Sequence, residues 1–94
     1  MATTRTIILD LGKHEAASSD IVVSAGERVT ITMYANEPIQ QGVQCLIFQK
    51  TAGKEQVIAY LSLRNGLQYN LQATGTYFVK RYSSLQVIGV QTER

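Results

Sequence analysis

Residues 65–90, NGLQYNLQATGTYFVKRYSSLQVIGV, carry the clearest punctuation in the chain. Asn65-Gly66 and Thr74-Gly75 read as turns, and the runs LQYNL, TYFVK and LQVIGV are rich in Tyr, Phe, Val, Ile and Leu with alternating polarity. Two successive strand–turn–strand units of this kind are the pattern of antiparallel strands laid half-buried on a core. The stretch commits the chain to a β architecture and to no particular reaction.

The rest of the sequence agrees. Period-two patterning places strands near residues 4–11, 20–24, 28–34, 43–49, 55–64, 67–71, 76–82 and 85–91, separated by SAGE, NEPIQQG, KTAGK, RNG, ATG and SS. Only residues 12–19 (GKHEAASS) and 36–42 (NEPIQQG) lack strand character, and the first holds at most a short helical turn. Eight short, evenly spaced strands in 94 residues predict one domain spanning residues 1–94: a small antiparallel β-sandwich of jelly-roll type, with a partly open barrel as the alternative. Residues 1–4 lie ahead of the main pattern, as an ordered arm or a flexible one.

In RVTITMY, Val29, Ile31 and Met33 point one way and Thr30 and Thr32 the other, so this strand has one wet face. By the same parity Val57, Ala59, Leu61 and Leu63 share a core face, and Tyr77 and Val79 another; Tyr69 also reads as core. Other strands are apolar on both sides. Ile8 opposes Ile7, Leu9 and Leu11; Leu46 and Phe48 oppose Val43, Cys45 and Ile47. Ile58 and Tyr60 oppose Val57, Ala59 and Leu61, Phe78 opposes Tyr77 and Val79, and Ile88 and Val90 oppose Leu85 and Val87.

A sandwich sheet has one inner face, so Phe78, Phe48, Tyr60, Ile58, Leu46 and Ile8 are expected to form an apolar outer patch of the kind that marks an interface. Phe48 and Phe78 are its strongest members. The competing expectation is that a bulge near Gly53 or Gly89 flips the parity, or that a loop covers the patch.

Composition narrows the functional classes. Hydrophobic residues make up 45% of the chain and charged residues 17%, below the roughly 25% of average domains, which fits a surface partly covered by something else. The net charge of +2 comes from nine dispersed basic residues, of which only Lys80 and Arg81 are adjacent. That distribution weighs against a nucleic-acid footprint, which concentrates charge on one face. Phe48, Lys50, Tyr60, Phe78, Lys80 and Arg81 would nonetheless suit single-stranded nucleic acid if they shared a face. Tyr60 and Tyr82 are the candidate platforms for a glycan in a chain with no Trp.

The apolar runs are too short for a transmembrane helix, and no signal-peptide pattern opens the sequence, so the expectation is synthesis in a reducing cytoplasm with Cys45 as a free thiol. The lone His14 lies among Asp10, Glu15 and Asp20, but their spacing matches no zinc or calcium loop. Cys45 lies in an apolar strand, where a thiol behaves as a small hydrophobe. No phosphate loop or nucleophile elbow occurs, and the sequence predicts neither catalytic residues, cofactor nor metal.

From Leu71 to Val90, the string L-x-A-T-G-T-Y-F-V-K-R, a short polar spacer and V-I-G-V resembles the C-terminal part of small virion proteins of tailed bacteriophages, which often end in a G-x-Y-x-V-x-R-type strand and a final strand with Gly-Val. The resemblance implies a capsid decoration or cement protein, or a small head-fibre or tail component. Such a protein is a non-enzymatic β-sandwich of the virion, made in the host cytoplasm. Its partners would be copies of itself, a trimer being favoured, and other virion proteins such as a major capsid protein. The alternative is a binding module for glycan or single-stranded nucleic acid.

Overall fold

The computed structural model describes residues 4–82 and 86–94. Among these, nine strands form: β1 (Arg5–Gly12), β2 (Ala16–Ala17), β3 (Ile21–Val23), β4 (Val29–Tyr34), β5 (Cys45–Thr51), β6 (Lys54–Leu61), β7 (Gln68–Leu71), β8 (Gly75–Arg81) and β9 (Ile88–Glu93). They divide into two antiparallel sheets, β1-β9-β4-β7 and β2-β8-β5-β6, with β3 pairing beside β2 on β8. With β2 and β3 taken as one interrupted strand, this is the order of a jelly roll. The segment 12–19 therefore supplies a short strand, Ala16–Ala17, where a helical turn was the most that sequence allowed.

The chain crosses between sheets at nearly every connection. Only β5 and β6 are consecutive neighbours in one sheet, joined by a two-residue turn in which Ala52 and Gly53 have φ of 50° and 78°. Positive φ at both centres is the geometry that matches strand twist in a tight hairpin. The stretch 65–90 holds strands as its pattern requires, yet none of them pairs with the next: β7 joins β4, β8 joins β5, and β9 joins β4 and β1. Asn65-Gly66 turns a corner between sheets, with Ser62 and Gly66 exchanging backbone hydrogen bonds of 3.1 and 2.8 Å.

Val29, Ile31 and Met33 are fully buried, and with Ile21, Val23, Cys45, Ile47, Leu61, Tyr77, Val79, Ile88 and Val90 they fill the space between the sheets. Tyr77 donates its hydroxyl to the Ala73 carbonyl at 2.8 Å, satisfying its polar end and tying the start of β8 to the preceding bend. Tyr69 faces the same way as Ile31 but sits on the edge strand β7 and stays over a third exposed, and Leu63 lies past the end of β6 in the open. Leu85 and residues 1–3, the greater part of the segment expected as an arm, lie outside the described residues; Thr4 exchanges backbone hydrogen bonds with Arg94.

Parity breaks at bulges in β1 and in β6, the strand that Gly53 leads into. β1 shifts register between Ile7 and Leu9 and again between Leu9 and Gly12, so Leu9 alone is fully buried while Ile7 and Leu11 emerge. β6 holds an extra residue, Ile58, between the pairs Ile47–Ala59 and Phe48–Val57. Gly89 lies opposite the second β1 bulge and on its other side pairs in register with Tyr34, whose ring occupies the space where a Cβ would stand, 2.7 Å from the Tyr34 Cζ.

Candidate interaction face

Strands β8, β5 and β6 lie side by side, and every second residue of β5 points away from the core. Register then fixes three outward rows: Lys80, Leu46 and Tyr60; Phe78, Phe48 and Val57; Thr76, Lys50 and Glu55. Four of the six residues expected at an interface, Phe78, Phe48, Tyr60 and Leu46, are thus brought onto one face. Ile58 is the bulge residue and packs against the core; Ile8 belongs to the other sheet and also packs inward. Val57 takes the outward place that simple alternation gives to Ile58, because the bulge shifts the parity below Ala59.

Phe48 and Phe78 stack with ring centroids 4.9 Å apart and planes 6° from parallel. Such pairs contribute about 0.5–1.5 kcal/mol beyond the area they bury. The Lys50 Nζ stands 5.3 Å over the Phe78 ring and is held there by Asp20, 2.8 Å away. That hydrogen bond raises the Lys50 pKa. Phe78 is left only 6% exposed. Its outward direction therefore demands no partner, since its own neighbours close over it; what stays open is the rim, with Tyr60 45% and Tyr82 39% exposed.

The other basic residues of the expected aromatic–basic surface are also accounted for. Lys80 lies 5.1 Å over the Tyr82 ring and 3.4 Å from Glu15. Arg81 points into the fold and is buried: its Nε donates to the His14 carbonyl at 2.8 Å, and its Nη1 to the carbonyls of Asp10 and Ile88 at 2.8 and 2.9 Å. The guanidinium from one sheet thereby ties down three backbone oxygens of the other sheet and its connection. Gly12 leaves the room, since a Cβ there would stand 2.8 Å from Arg81 Nη2. Strict alternation from Tyr77 and Val79 would have turned Arg81 inward; its adjacency to Lys80 masked that signal.

No protein-family model matches the chain, and no curated protein matches it. Among solved structures, the crystal structure of the SPBc2 prophage-derived protein YomS aligns with a TM-score of 0.69. The alignment covers 98% of this chain and 91% of that one at 9% identity. The two share the fold.

The titratable residues singled out in sequence take structural parts. Glu15 and Asp20 serve as counter-ions to Lys80 and Lys50, and His14 lends its carbonyl to Arg81. Among the described residues no three His, Cys, Asp or Glu side chains converge as a metal site would need. The Cys45 thiol is wholly enclosed, and burial pushes its pKa up to about 11 against the opposing pull of Arg81.

Proposed function

We propose that this chain is a non-enzymatic structural protein of a phage particle, a capsid decoration or cement protein that oligomerises and docks on a larger protein shell. The observation that carries this reading is the whole-length fold likeness to a prophage-derived protein. The jelly roll recurs in viral shells, which is support by analogy of fold. The exposed Tyr60 and the half-buried Leu46, Phe48 and Val57 beside it are the surface offered to a neighbour. Copies of the chain and a major capsid protein are the partners proposed, a trimer is the favoured assembly, and the virion is the location.

Nucleic acid is less well supported as a partner than it was in sequence. Lys50 and Lys80 already have carboxylate partners, and Arg81 is withdrawn from the surface.

Two measurements test the reading together. Phage particles banded on a density gradient should contain the chain by mass spectrometry. The isolated protein should scatter light as an oligomer, and Phe48→Lys should shift it toward monomer. A chain absent from banded particles and monomeric at high concentration would overturn the proposal.

A further inference from the structure

At one end of the sandwich, the connection leading into β5 and the corner after β6 enclose an open groove of about 620 Å³. Its walls carry an unusual selection of side chains. Tyr60 and Leu63 each present a side chain a little under half exposed, while Gln41, Gln44 and Asn65 bring planar amides. Arg64 is the one charged residue in the lining, and among the described residues it has no carboxylate partner.

The wall after β6 is held by its own hydrogen bonds. Ser62 donates its hydroxyl to Asn65 Oδ1 at 3.0 Å and accepts the Asn65 backbone amide at 3.1 Å, which leaves the Asn65 side-chain NH2 without a partner among the described residues. Gly42 and Gly66, with φ of 86° and 105°, set the two bends at either side. Tyr60 is fixed at its base by pairing with Leu46 on the rigid hairpin.

Amides pair two ways with neighbouring hydroxyls, a tyrosine ring covers the C–H face of a pyranose, and a guanidinium forks onto a carboxylate. We propose that this groove binds an oligosaccharide bearing a sugar carboxylate. Tyr60 and Leu63 take the apolar face of one residue, Gln41, Gln44 and Asn65 take its hydroxyls, and Arg64 takes the acid. An open, mixed groove with one unpaired cation and no carboxylate suits an anionic, polyhydroxylated chain better than an apolar small molecule, which asks for an enclosed cavity. The inference stands apart from docking on a shell, because the groove lies beside that face and shares only Tyr60 with it.

The test is an amide NMR titration of the full chain with a galacturonic acid tetramer, sialyllactose, neutral maltotetraose and a thymidine oligonucleotide. The acidic sugars are expected to shift the amides of residues 41–44 and 62–65 in the millimolar range, with maltotetraose about tenfold weaker or more. Arg64→Gln should bring acidic and neutral sugars to equal affinity, and Tyr60→Ala should weaken both while the core resonances stay in place. Which acidic sugar binds tighter identifies the source of the carboxylate. Absence of groove shifts with every sugar overturns the proposal, as does equal binding of neutral and acidic sugars by the unaltered chain, or tighter binding of the oligonucleotide.

Discussion

The two sheets turn very different outer faces to water. On β1-β9-β4-β7 the outward rows are polar except for Ile7 at the edge: Arg5, Glu93, Thr30 and Asn70; then Ile7, Gln91, Thr32 and Gln68; then Gly89 beside Tyr34. They are stitched by an Arg5–Glu93 ion pair of 3.2 Å and a 2.7 Å hydrogen bond from Thr30 to Asn70. On β8-β5-β6 the corresponding middle row is Phe78, Phe48 and Val57. One sheet thus has a single apolar face, and the other has a second small core on its outside. Hydrophobic residues outside are not by themselves an interface. Here the inner part of the patch is closed by a stacked pair and a lysine lid, and only its rim is available to another molecule.

The sharpest way to break this contrast is at Phe78. If it is an element of a second core, Phe78→Ala should cost about 3 kcal/mol in urea unfolding even under conditions where the protein is dilute and monomeric. A loss below about 0.5 kcal/mol, together with a change of oligomeric state, would return Phe78 to the role of a contact residue awaiting its partner. Phe78→Leu should recover most of the loss, since it refills the volume without the stack.

The next largest effect is expected on the polar face. Gly89 is where Tyr34 lies flat against the sheet, and an added methyl would meet the Tyr34 ring at 2.7 Å and the Leu9 carbonyl at 2.9 Å. Gly89→Ala should therefore destabilise by about 2 kcal/mol. Combined with Tyr34→Ala the two costs should add to less than their sum, because the ring that is crowded has been removed; strict additivity in that double-mutant cycle would sink the account.

How much of this could be read from the sequence depends on the range of the interactions. Strand positions were legible because alternation is local: Val29, Ile31 and Met33 announce their own face. Pairing was not, since β7, β8 and β9 follow one another through short turns yet alternate between sheets, and turn residues say where a chain bends without saying which neighbour it meets. The bulge at Ile58 holds no glycine or proline to mark it, and the second one in β1 runs into Gly12, which in sequence reads as the start of a segment without strand character. The groove was invisible for another reason: its walls are some twenty residues apart in sequence, brought together by the hairpin between them. Of the proposed contact face, Phe48 and Phe78 were visible as apolar residues on the wrong parity, whereas their lid, Lys50 on Asp20, joins β5 to the distant connection that leads into β3.

Thr32 offers a gain in place of a loss. It stands in the middle of the polar face, between Gln91 and Gln68, with a hydroxyl enclosed and without a hydrogen-bond partner among the described residues. An unmet buried hydroxyl costs about 1–3 kcal/mol, and valine has almost the same shape with a better fit to a pleated sheet. Thr32→Val should stabilise by about 1 kcal/mol. A destabilised variant would mean that water reaches this hydroxyl, and that the polar face is more open than the apolar one across the sandwich.

The smallest effect is expected where the two sheets are clasped at their exposed edge. The Glu27 carboxylate accepts the Ser24 amide at 3.0 Å and the Arg94 guanidinium at 2.9 Å, and Arg94 also donates to the Val22 carbonyl at 3.1 Å, joining the end of β9 to β3. The Ser24 hydrogen bond first, and Arg94 after it, hold the Glu27 pKa below its ordinary 4.5. A carboxylate with a lowered folded pKa contributes stability that is present above its unfolded value and is lost as pH falls through the folded one. Glu27→Gln keeps an oxygen for Ser24 but has no charge to lose, so its urea midpoint should fall less steeply than the parent's as pH drops below 4.5. The difference should be small, because an exposed ion pair is screened by water. Identical acid limbs in the two proteins would remove Glu27 from the clasp, leaving Arg94 to join the sheets through its bond to Val22 alone.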